Sequence, residues 1–226
     1  DTASLLMANG AGNPIYVATG VARPTQVFAI VGKPGQQMNI EDLKGKKVAG
    51  PKGTVLHQVL IAALQSKDMK ASDVELIQMD IPKAYSALLG GHVDAALLAA
   101  GTIINANASN AKTITTADGL VTPLLVLATS AKFAEENPKL LARIVKVHRQ
   151  KTQWISDHPD KAAEMGAKEQ GVSLDDAKKL ANWSHFFDVL TPEDLRSLAK
   201  DQDFLFENGM MNKKVNTDKL VLPMAT

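Results

Sequence analysis

The stretch Ile40-Glu41-Asp42-Leu43-Lys44-Gly45-Lys46-Lys47-Val48-Ala49-Gly50-Pro51-Lys52-Gly53-Thr54 carries the signals that decide the fold. Residues 47–50 predict a short strand, and Pro51-Lys52-Gly53 predicts the turn that ends it. Residues 54–66 then predict a helix, because their apolar positions recur at helical spacing: Val55, Val59, Leu60 and Ala63. A strand, a glycine turn and a helix in this order are typical of α/β proteins.

The same alternation extends in both directions from this stretch. Strands are predicted at residues 15–19, 27–31, 74–79, 93–98 and 124–128. A further helix is predicted at residues 82–89, with Pro82 in its first turn and Gly90-Gly91 after its end. Beyond Pro123 the chain is mostly helical, with helices predicted at 138–157, 160–170, 174–183 and 192–208. This order predicts an α/β fold with covering helices at its C-terminal end.

Composition narrows the function classes. The 226 residues are 45% hydrophobic and carry 25 basic against 24 acidic side chains, a net charge of +1. Such a balance gives no field that would collect nucleic acid or an anionic membrane, so we expect no nucleic-acid partner. The chain has no cysteine, which excludes disulfides, thiolate metal sites and a cysteine nucleophile within it. The length suits one large domain or two small ones.

Four segments of the chain, in the same order along the sequence, resemble segments of one protein family. The stretch at 40–54 resembles the signature of solute-binding proteins of ABC importers, in the branch for sulfonates, nitrate, taurine and thiamine-pyrimidine precursors. The other matches are Gly91-His92-Val93-Asp94-Ala95-Ala96, Asn137-Pro138, and Gln153-Trp154-Ile155 with His158-Pro159-Asp160.

This resemblance implies a periplasmic-binding-protein type II fold: two α/β lobes with parallel-rich sheets, two hinge-crossing strands and C-terminal helices. Lobe 1 would comprise residues 1–32 and 125–226, and lobe 2 residues 33–124. The crossing strands would lie at 27–34 and 122–129. The implied partners are a small-molecule solute and the membrane permease and ATPase subunits of an importer. The implied location is periplasmic or otherwise extracytoplasmic.

The resemblance also creates an expectation about the start of the chain. Family members place a strand, a helix and a second strand before the position of Asp1, as part of the first lobe's sheet. Without inner strands a sheet leaves backbone groups unpaired, so we expect further residues, including an export signal, upstream of Asp1 in the intact gene product.

The turn before the predicted helix at 54–66 is the first candidate site. A glycine turn that leads into a helix presents backbone N–H groups and the positive end of the helix dipole, which suit an anion. We therefore select Gly53, Thr54 and Val55, with His57 one turn further as a possible donor. Thr54 could instead be an ordinary helix cap. The turn lacks the Walker pattern, so it does not predict ATP hydrolysis.

Three further segments supply candidates. Asp1 or Thr2 is predicted to cap a first helix, and the resemblance places Thr2 toward the ligand. Arg23 and Gln26 flank Pro24 before a predicted crossing strand, where an arginine can grip a carboxylate or sulfonate with two hydrogen bonds. Ala99, Ala100 and Gly101 follow the strand at 93–98, where they leave room and offer backbone amides. They cannot pair with a charged amine, which makes a taurine-like zwitterion less attractive.

Other features favour structural roles. The histidines show no metal-binding spacing, so we expect neither a metal nor a cofactor.

The predicted ligand is a small organic anion: a sulfonate, nitrate, carboxylate or pyrimidine-like solute. Two alternatives stay open. One is a cysteine-independent enzyme on the same fold, and the other is the effector-sensing domain of a LysR-type regulator, whose core would end soon after the strand at 124–128.

Overall fold

A computed structural model describes residues 1–226, with nine α-helices and seven strands. The strands are β1 (Ile15–Ala22), β2 (Phe28–Gly32), β3 (Lys47–Gly50), β4 (Glu75–Gln78), β5 (Ala95–Ala99), β6 (Lys112–Thr116) and β7 (Leu125–Ser130). The helices are α1 (Thr2–Gly10), α2 (Val55–Gln65), α3 (Ile81–Leu89), α4 (Gly101–Ala108), α5 (Ala131–Glu136), α6 (Pro138–Asp157), α7 (Pro159–Gln170), α8 (Leu174–Ser184) and α9 (Pro192–Glu207). None of these helices combines the length and the apolar character that crossing a bilayer requires.

The chain forms two compact units. Unit 1 contains Asp1–Arg23, Pro123–Ala162 and His185–Thr226, and unit 2 contains Pro24–Thr122 and Ala163–Ser184. The sequence-based boundaries differ at three places, of which the return to unit 1 at Pro123 rather than at residue 125 is the smallest. The sequence predicts that the first lobe extends to residue 32 and so includes β2, but β2 hydrogen-bonds to β5 and β6 and therefore lies in unit 2. Residues 163–184 also lie in unit 2 rather than in the first lobe.

Unit 1 is built on an antiparallel pair of strands. β1 pairs with β7 from Ile15 opposite Ser130 to Ala22 opposite Leu125, with two irregularities in register. Helix α6 covers this pair, and its Leu141 and Val145 pack on Ala18 of β1. The N-terminal cap of α1 is Asp1, whose Oδ1 accepts from the Ser4 N–H at 2.8 Å. Asp1 is one of the two caps that the sequence predicts for this helix.

Unit 2 contains a five-stranded sheet in the order β4-β3-β5-β2-β6. The pairs β4–β3 and β3–β5 are parallel, whereas β5–β2 and β2–β6 are antiparallel. The expected α/β class is confirmed, but the sheet is mixed rather than parallel-rich, because β2 runs against its two neighbours. Helices α3 and α4 bury apolar residues on one face of this sheet, among them Ala84, Leu88, Ile103 and Ala106.

The Asp94 side chain forms hydrogen bonds at the edge of this sheet where β3 and β5 begin. Its Oδ2 accepts from the Lys47 N–H at 3.0 Å, and its Oδ1 accepts from Nζ of Lys33 at 3.0 Å. The hydrogen bond from the Lys47 backbone is the main reason that the pKa of the Asp94 carboxyl lies below its ordinary value; burial opposes this effect, and Lys33 and Lys46 add to it. This contact fixes the start of β3 beside β5, and so aligns the opposite edge, where both strands end.

Candidate functional site

The order of strands in unit 2 creates a topological switch point between β3 and β5. These two strands are parallel neighbours, so they end at the same edge of the sheet. The connection from β3 leads through α2 to β4 on one side, whereas the connection from β5 leads through α4 to β6 on the other side. The two connections diverge, and in open α/β sheets a crevice that binds ligands opens at such a point.

Three helices begin at this edge, and their caps differ. At α3, Oδ1 of Asp80 accepts from the Lys83 N–H at 2.9 Å, so a carboxylate already occupies that helix end. At α4, the Gly101 N–H donates to Oε1 of Gln170 at 3.2 Å. No side chain caps α2. The positive end of α2 is therefore the helix end at this edge that lacks a side-chain acceptor, and it suits an anion.

The turn before α2 has the predicted form. Gly53 has φ +73°, in the left-handed region that favours glycine, and the carbonyl of Thr54 accepts the first helical hydrogen bond from Gln58. The Thr54 hydroxyl donates to the Pro51 carbonyl at 3.0 Å instead of capping the helix. Thr54 is thus not the side-chain cap that the alternative interpretation assigned to it. Its hydroxyl oxygen closes the turn, and Val55, the next residue, is buried.

His57 holds the same turn from within the helix. Its Nδ1 accepts from the Gly53 N–H at 3.2 Å. Burial lowers the pKa of His57 below its ordinary value, and the charge of Lys52 lowers it further. The ring accepts at Nδ1 in this contact, so the neutral form carries its proton on Nε2 and keeps one group that can act as the predicted donor. The Gly53 N–H, which the sequence offered to an anion, is engaged by this ring.

The turn after β5 is strained and internally bonded. Ala100 has φ +51° and ψ −127°, a conformation that residues with a Cβ rarely adopt. Its N–H donates to the Val27 carbonyl at 2.9 Å, and the Ala99 N–H donates to the Thr102 hydroxyl at 3.2 Å. With Gly101 engaged by Gln170, all three amides of the turn have partners. The amides that the sequence offers to a ligand are therefore engaged within the unit.

The predicted site residues divide between the two units. Unit 2 brings eight of them to the edge where β3 and β5 end or to the helices that begin there: Gln26, Gly53, Thr54, Val55, His57, Ala99, Ala100 and Gly101. Thr2 and Arg23 belong to unit 1, where Thr2 is the first residue of α1 and is buried.

Arg23 is engaged by a carboxylate of its own unit. Its Nε donates to Oδ1 of Asp194 at 2.8 Å, and Nη2 pairs with Oδ2. Its guanidinium carbon lies 3.5 Å from the centroid of the Phe187 ring. Burial raises the pKa of Asp194, but hydrogen bonds from Arg23 and Thr191 outweigh burial, and the net pKa lies below its ordinary value. These contacts give Arg23 a structural role in unit 1.

Sequence reasoning did not select two residues that shape the edge in unit 2. Gln170 lies 69 positions from its partner Gly101, so no local pattern could have linked them. Thr102 bonds back to Ala99 within one turn, and a threonine directly after a glycine at the start of a helix is a signal that was available.

Unit 1 contains an open groove of about 520 Å³ along α6. Arg149 in this groove donates to the Thr19 hydroxyl and to the Met224 carbonyl, so its guanidinium is held by its own unit. The remaining lining residues are Ala142, Val145, Lys146, Gln150, Gln153 and Met224. Nowhere in the chain do three His, Cys, Asp or Glu side chains converge in a way that could hold a metal ion.

Comparison with known proteins finds one matching family and several relatives named as binding proteins. The NMT1/THI5-like family matches residues 1–162. A Bacillus subtilis (strain 168) protein named "Putative aliphatic sulfonates-binding protein" is 26% identical over 187 residues, which cover 81% of this chain and 56% of that protein. The taurine-binding periplasmic protein of Escherichia coli K12 is 27% identical over 153 residues, 62% of this chain and 48% of that protein. The chain thus spans about half the length of these two relatives.

Solved structures with the same fold include both a binding protein and an enzyme. The alkanesulfonate-binding protein SsuA from Xanthomonas axonopodis pv. citri, bound to MOPS, matches with a TM-score of 0.85 and 16% identity, covering 98% of this chain and 78% of that one. The desulfurization enzyme DSZB matches with a TM-score of 0.72 and 17% identity, covering 97% and 80%. At these identities the likeness shows the fold alone.

Proposed function

Because the chain belongs to the NMT1/THI5-like family, we propose that it is the solute-binding component of an ABC importer and that it binds an aliphatic sulfonate or a related small organic anion. The resemblance that residues 40–54 predicted is confirmed by this family match. The names of the relatives, an aliphatic sulfonates-binding and a taurine-binding protein, support the choice of a sulfonate.

The observation that carries the proposal is the end of α2 at the switch point. Here a helix of 11 residues begins without a side-chain cap, next to the exposed Lys52. Backbone N–H groups and the helix dipole stabilise a negative charge at such a position, by roughly 0.3–1 kcal/mol where it is exposed and more where it is partly buried. A sulfonate provides three oxygens of shared negative charge, which suit several donors at once.

The proposed solute site consists of the turn at Gly53-Thr54, with Val55 and His57 behind it, and the turn at Ala99-Ala100-Gly101 beside it. Gln26 lies next to the start of β2 at the same edge. The small side chains after β5 leave space for an alkyl chain and lack a carboxylate that would bind an ammonium group. Thr2 and Arg23 stay predictions from the sequence, and the guanidinium of Arg23 is paired with Asp194.

A thermal-shift titration with a matched neutral analogue tests the proposal. Ethanesulfonate and ethanesulfonamide have nearly the same shape, but only the first carries a charge. At a hundredfold excess over its dissociation constant, a ligand of the folded state stabilises it by about 2.7 kcal/mol. We expect ethanesulfonate, and not ethanesulfonamide, to raise Tm. Equal shifts, or no shift with any sulfonate, nitrate, carboxylate or pyrimidine, would overturn it.

The importer role adds a permease, an ATPase and a periplasmic location to the proposal, which the printed name of the taurine-binding periplasmic relative supports. The test is ATP hydrolysis by the cognate permease and ATPase in proteoliposomes. Addition of the sulfonate-loaded protein should stimulate hydrolysis more than addition of the ligand-free protein. Equal rates with and without the protein would contradict this role.

An enzymatic role is the second candidate, because the desulfurization enzyme DSZB shares the fold. An enzyme and a binding protein are distinguished by whether the bound sulfonate is chemically changed. A binding protein releases its ligand unchanged, so mass spectrometry after prolonged incubation should recover all of it. Release of sulfite with formation of a desulfonated product would establish the enzyme instead.

A further inference from the structure

The groove along α6 in unit 1 combines a polar, basic rim with an apolar floor. Exposed Lys146, Gln150 and Gln153 form the rim, and buried Val145 with half-buried Met224 forms the floor. The volume of about 520 Å³ lies within the range of roughly 300–1,000 Å³ of ligand pockets. The groove is open along the helix rather than enclosed, however, so it suits a segment of chain that lies along α6 better than a small molecule that must be surrounded.

The basic character extends along α6 beyond the groove. Side chains that can donate hydrogen bonds recur along one face of the helix, at intervals of three or four residues. They are Lys139, Arg143, Lys146, Gln150 and Gln153. The whole helix carries five basic side chains against a single acidic one. Because the chain has a net charge of only +1, α6 concentrates positive charge at one place on unit 1.

The chain does not neutralise this charge. The five basic side chains of α6 form no ion pair, whereas the other two arginines, Arg23 and Arg196, each pair with a carboxylate. Half-buried Arg149 is held at the groove by neutral acceptors, the Thr19 hydroxyl and the Met224 carbonyl. These contacts engage two of the five N–H groups of its guanidinium, so three stay available to an external acceptor.

We propose that this face of α6 docks an acidic segment of a partner protein, with carboxylates on Lys139, Arg143 and Lys146 and one apolar side chain in the groove between Val145 and Met224. The helix rises about 21 Å from residue 139 to residue 153, a distance that about seven residues of extended chain span. Alternate side chains of such a segment lie about 6.6 Å apart, close to the rise of about 4.5–6 Å between successive basic residues. This inference does not rest on the proposed solute site, whose turns belong to unit 2.

Charge and shape favour a protein segment over the other occupants of such a face. A second copy of the chain, docked through the same face, would bring basic side chains against basic ones, which is repulsive. A membrane binds apolar side chains that protrude from a basic face, whereas the apolar groups here, Val145 and Met224, form the floor of a groove. A nucleic acid offers phosphates but no aliphatic side chain to fill that floor.

A synthetic peptide in which three glutamates and then one leucine alternate with serine tests the proposal on the full chain. Titration followed by NMR gives the affinity, and the methyl resonance of Met224 reports occupation of the groove. Two matched peptides carry glutamine in place of glutamate, or serine in place of leucine. We expect the glutamine peptide to bind at least about tenfold more weakly and the serine peptide about three- to tenfold more weakly. Binding of the acidic peptide should also weaken as the salt concentration rises.

Two charge reversals on α6 locate the docking face. Lys146→Glu changes the rim of the groove, and we expect it to weaken binding of the acidic peptide at least about tenfold. Lys151→Glu makes the same change on α6 outside this face and should leave the affinity within about threefold. Both lysines are exposed, so both variants should fold.

Three results would overturn the inference: no binding of the acidic peptide, equal binding of the glutamate and glutamine peptides, or equal losses in Lys146→Glu and Lys151→Glu. Vesicles of phosphatidylserine and phosphatidylcholine in equal parts, and a single-stranded oligonucleotide, complete the test. Binding of either as tight as that of the peptide would identify a general anion-binding surface and would also contradict a specific protein partner.

Discussion

The backbone N–H of Gly53 donates a hydrogen bond to Nδ1 of His57, with 3.2 Å between the two nitrogens. An imidazole nitrogen that accepts carries no proton, so the neutral ring is protonated at Nε2. The contact joins the turn after β3 to the first turn of α2, and it exists only while His57 is neutral. Protonation of His57 would therefore break a hydrogen bond that holds the turn of the candidate anion site.

Stability should depend on pH through His57. Burial, followed by the charge of Lys52, lowers the pKa of His57 in the folded chain below its ordinary value of 6.5. The unfolded chain thus binds a proton that the folded chain does not. This contribution is fully present above about pH 6.5 and is lost as the pH falls from there toward the lowered pKa of the folded state.

Urea unfolding between pH 7.5 and 5.5 measures this dependence in the wild type and in His57→Gln, which keeps an acceptor but cannot titrate. We expect the free energy of unfolding to decline less steeply in the variant as the pH falls. The variant His92→Gln, at an exposed histidine of unit 2, controls for the loss of one histidine. Identical slopes in wild type and His57→Gln would contradict the assignment.

Much of the fold was predictable because the signals are local. Residues 47–50 and 138–157 were predicted at the bounds that the structure shows. β6 was missed because its Lys112-Thr113-Ile114-Thr115-Thr116 sequence lies at a sheet edge and buries none of its side chains fully. α4 was missed because β-branched and asparagine residues dominate it, and packing of Ile103 and Ala106 outweighs their low helix propensity.

The site was predictable only in part, for a physical reason. The turn at Gly53-Thr54 is a local feature, and glycine before a helix marks it in the sequence. The partners that decide which groups are free are distant: Gln170 lies 69 residues from Gly101, and Asp194 lies 171 residues from Arg23. Sequence patterns indicate which groups can bind, whereas tertiary contacts determine which of them are already engaged.

The Thr54 hydroxyl should contribute to ligand affinity as well as to stability. In Thr54→Val the hydrogen bond to the Pro51 carbonyl is lost, which should cost about 0.5–1.5 kcal/mol of unfolding free energy. The hydroxyl has one proton, so a contact to a sulfonate would replace the bond to Pro51. Because a bond to a charged acceptor (about 1.5–3 kcal/mol) is stronger than the neutral bond it replaces (about 0.5–1.5 kcal/mol), its loss should weaken binding about five- to tenfold. Calorimetric titration should show near-normal affinity for Thr54→Ser. Undiminished affinity in Thr54→Val would count against the site.

Replacement of the strained residue after β5 should stabilise the chain. Ala100→Gly relieves a conformational cost of about 1–3 kcal/mol and adds a backbone entropy cost of about 0.5–1 kcal/mol. We expect a net gain of about 1 kcal/mol in denaturant unfolding. The neighbouring variant Ala99→Gly, at the last residue of β5, should instead lose about 0.5–1 kcal/mol. A loss in both variants would show that the turn is not strained.

Replacement of Arg23 should lower the stability of the chain more than its affinity for a ligand. Arg23→Ala leaves the Asp194 carboxylate, whose side chain is only 10% exposed, without its guanidinium partner. We expect a loss of about 1–3 kcal/mol, reduced from the value for a fully buried pair because Arg23 is 36% exposed. Arg196→Ala on α9 removes an exposed pair with Glu193 and should change stability little. Affinity for ethanesulfonate that falls while stability holds would reverse this assignment.

Gly20 determines where the Phe187 ring, and with it Arg23, can lie. A Cβ on Gly20 would be 2.2 Å from Cε2 of Phe187, so an alanine there must displace the ring. Displacement removes the face on which the Arg23 guanidinium stacks at 3.5 Å. We expect Gly20→Ala to lower the free energy of unfolding by about 2–4 kcal/mol, from overpacking and from the lost stacking.

The matched control for Gly20→Ala is Gly166→Ala, within α7, where an added Cβ meets nothing within 4 Å. Since alanine favours a helix, that variant should gain up to about 1 kcal/mol in the same urea unfolding experiment. The pair Gly20→Ala and Phe187→Ala should be strongly non-additive, because the second substitution removes the ring that the first displaces. Additive losses would mean that Gly20 is required for another reason, such as its own backbone conformation, and that the ring does not depend on it.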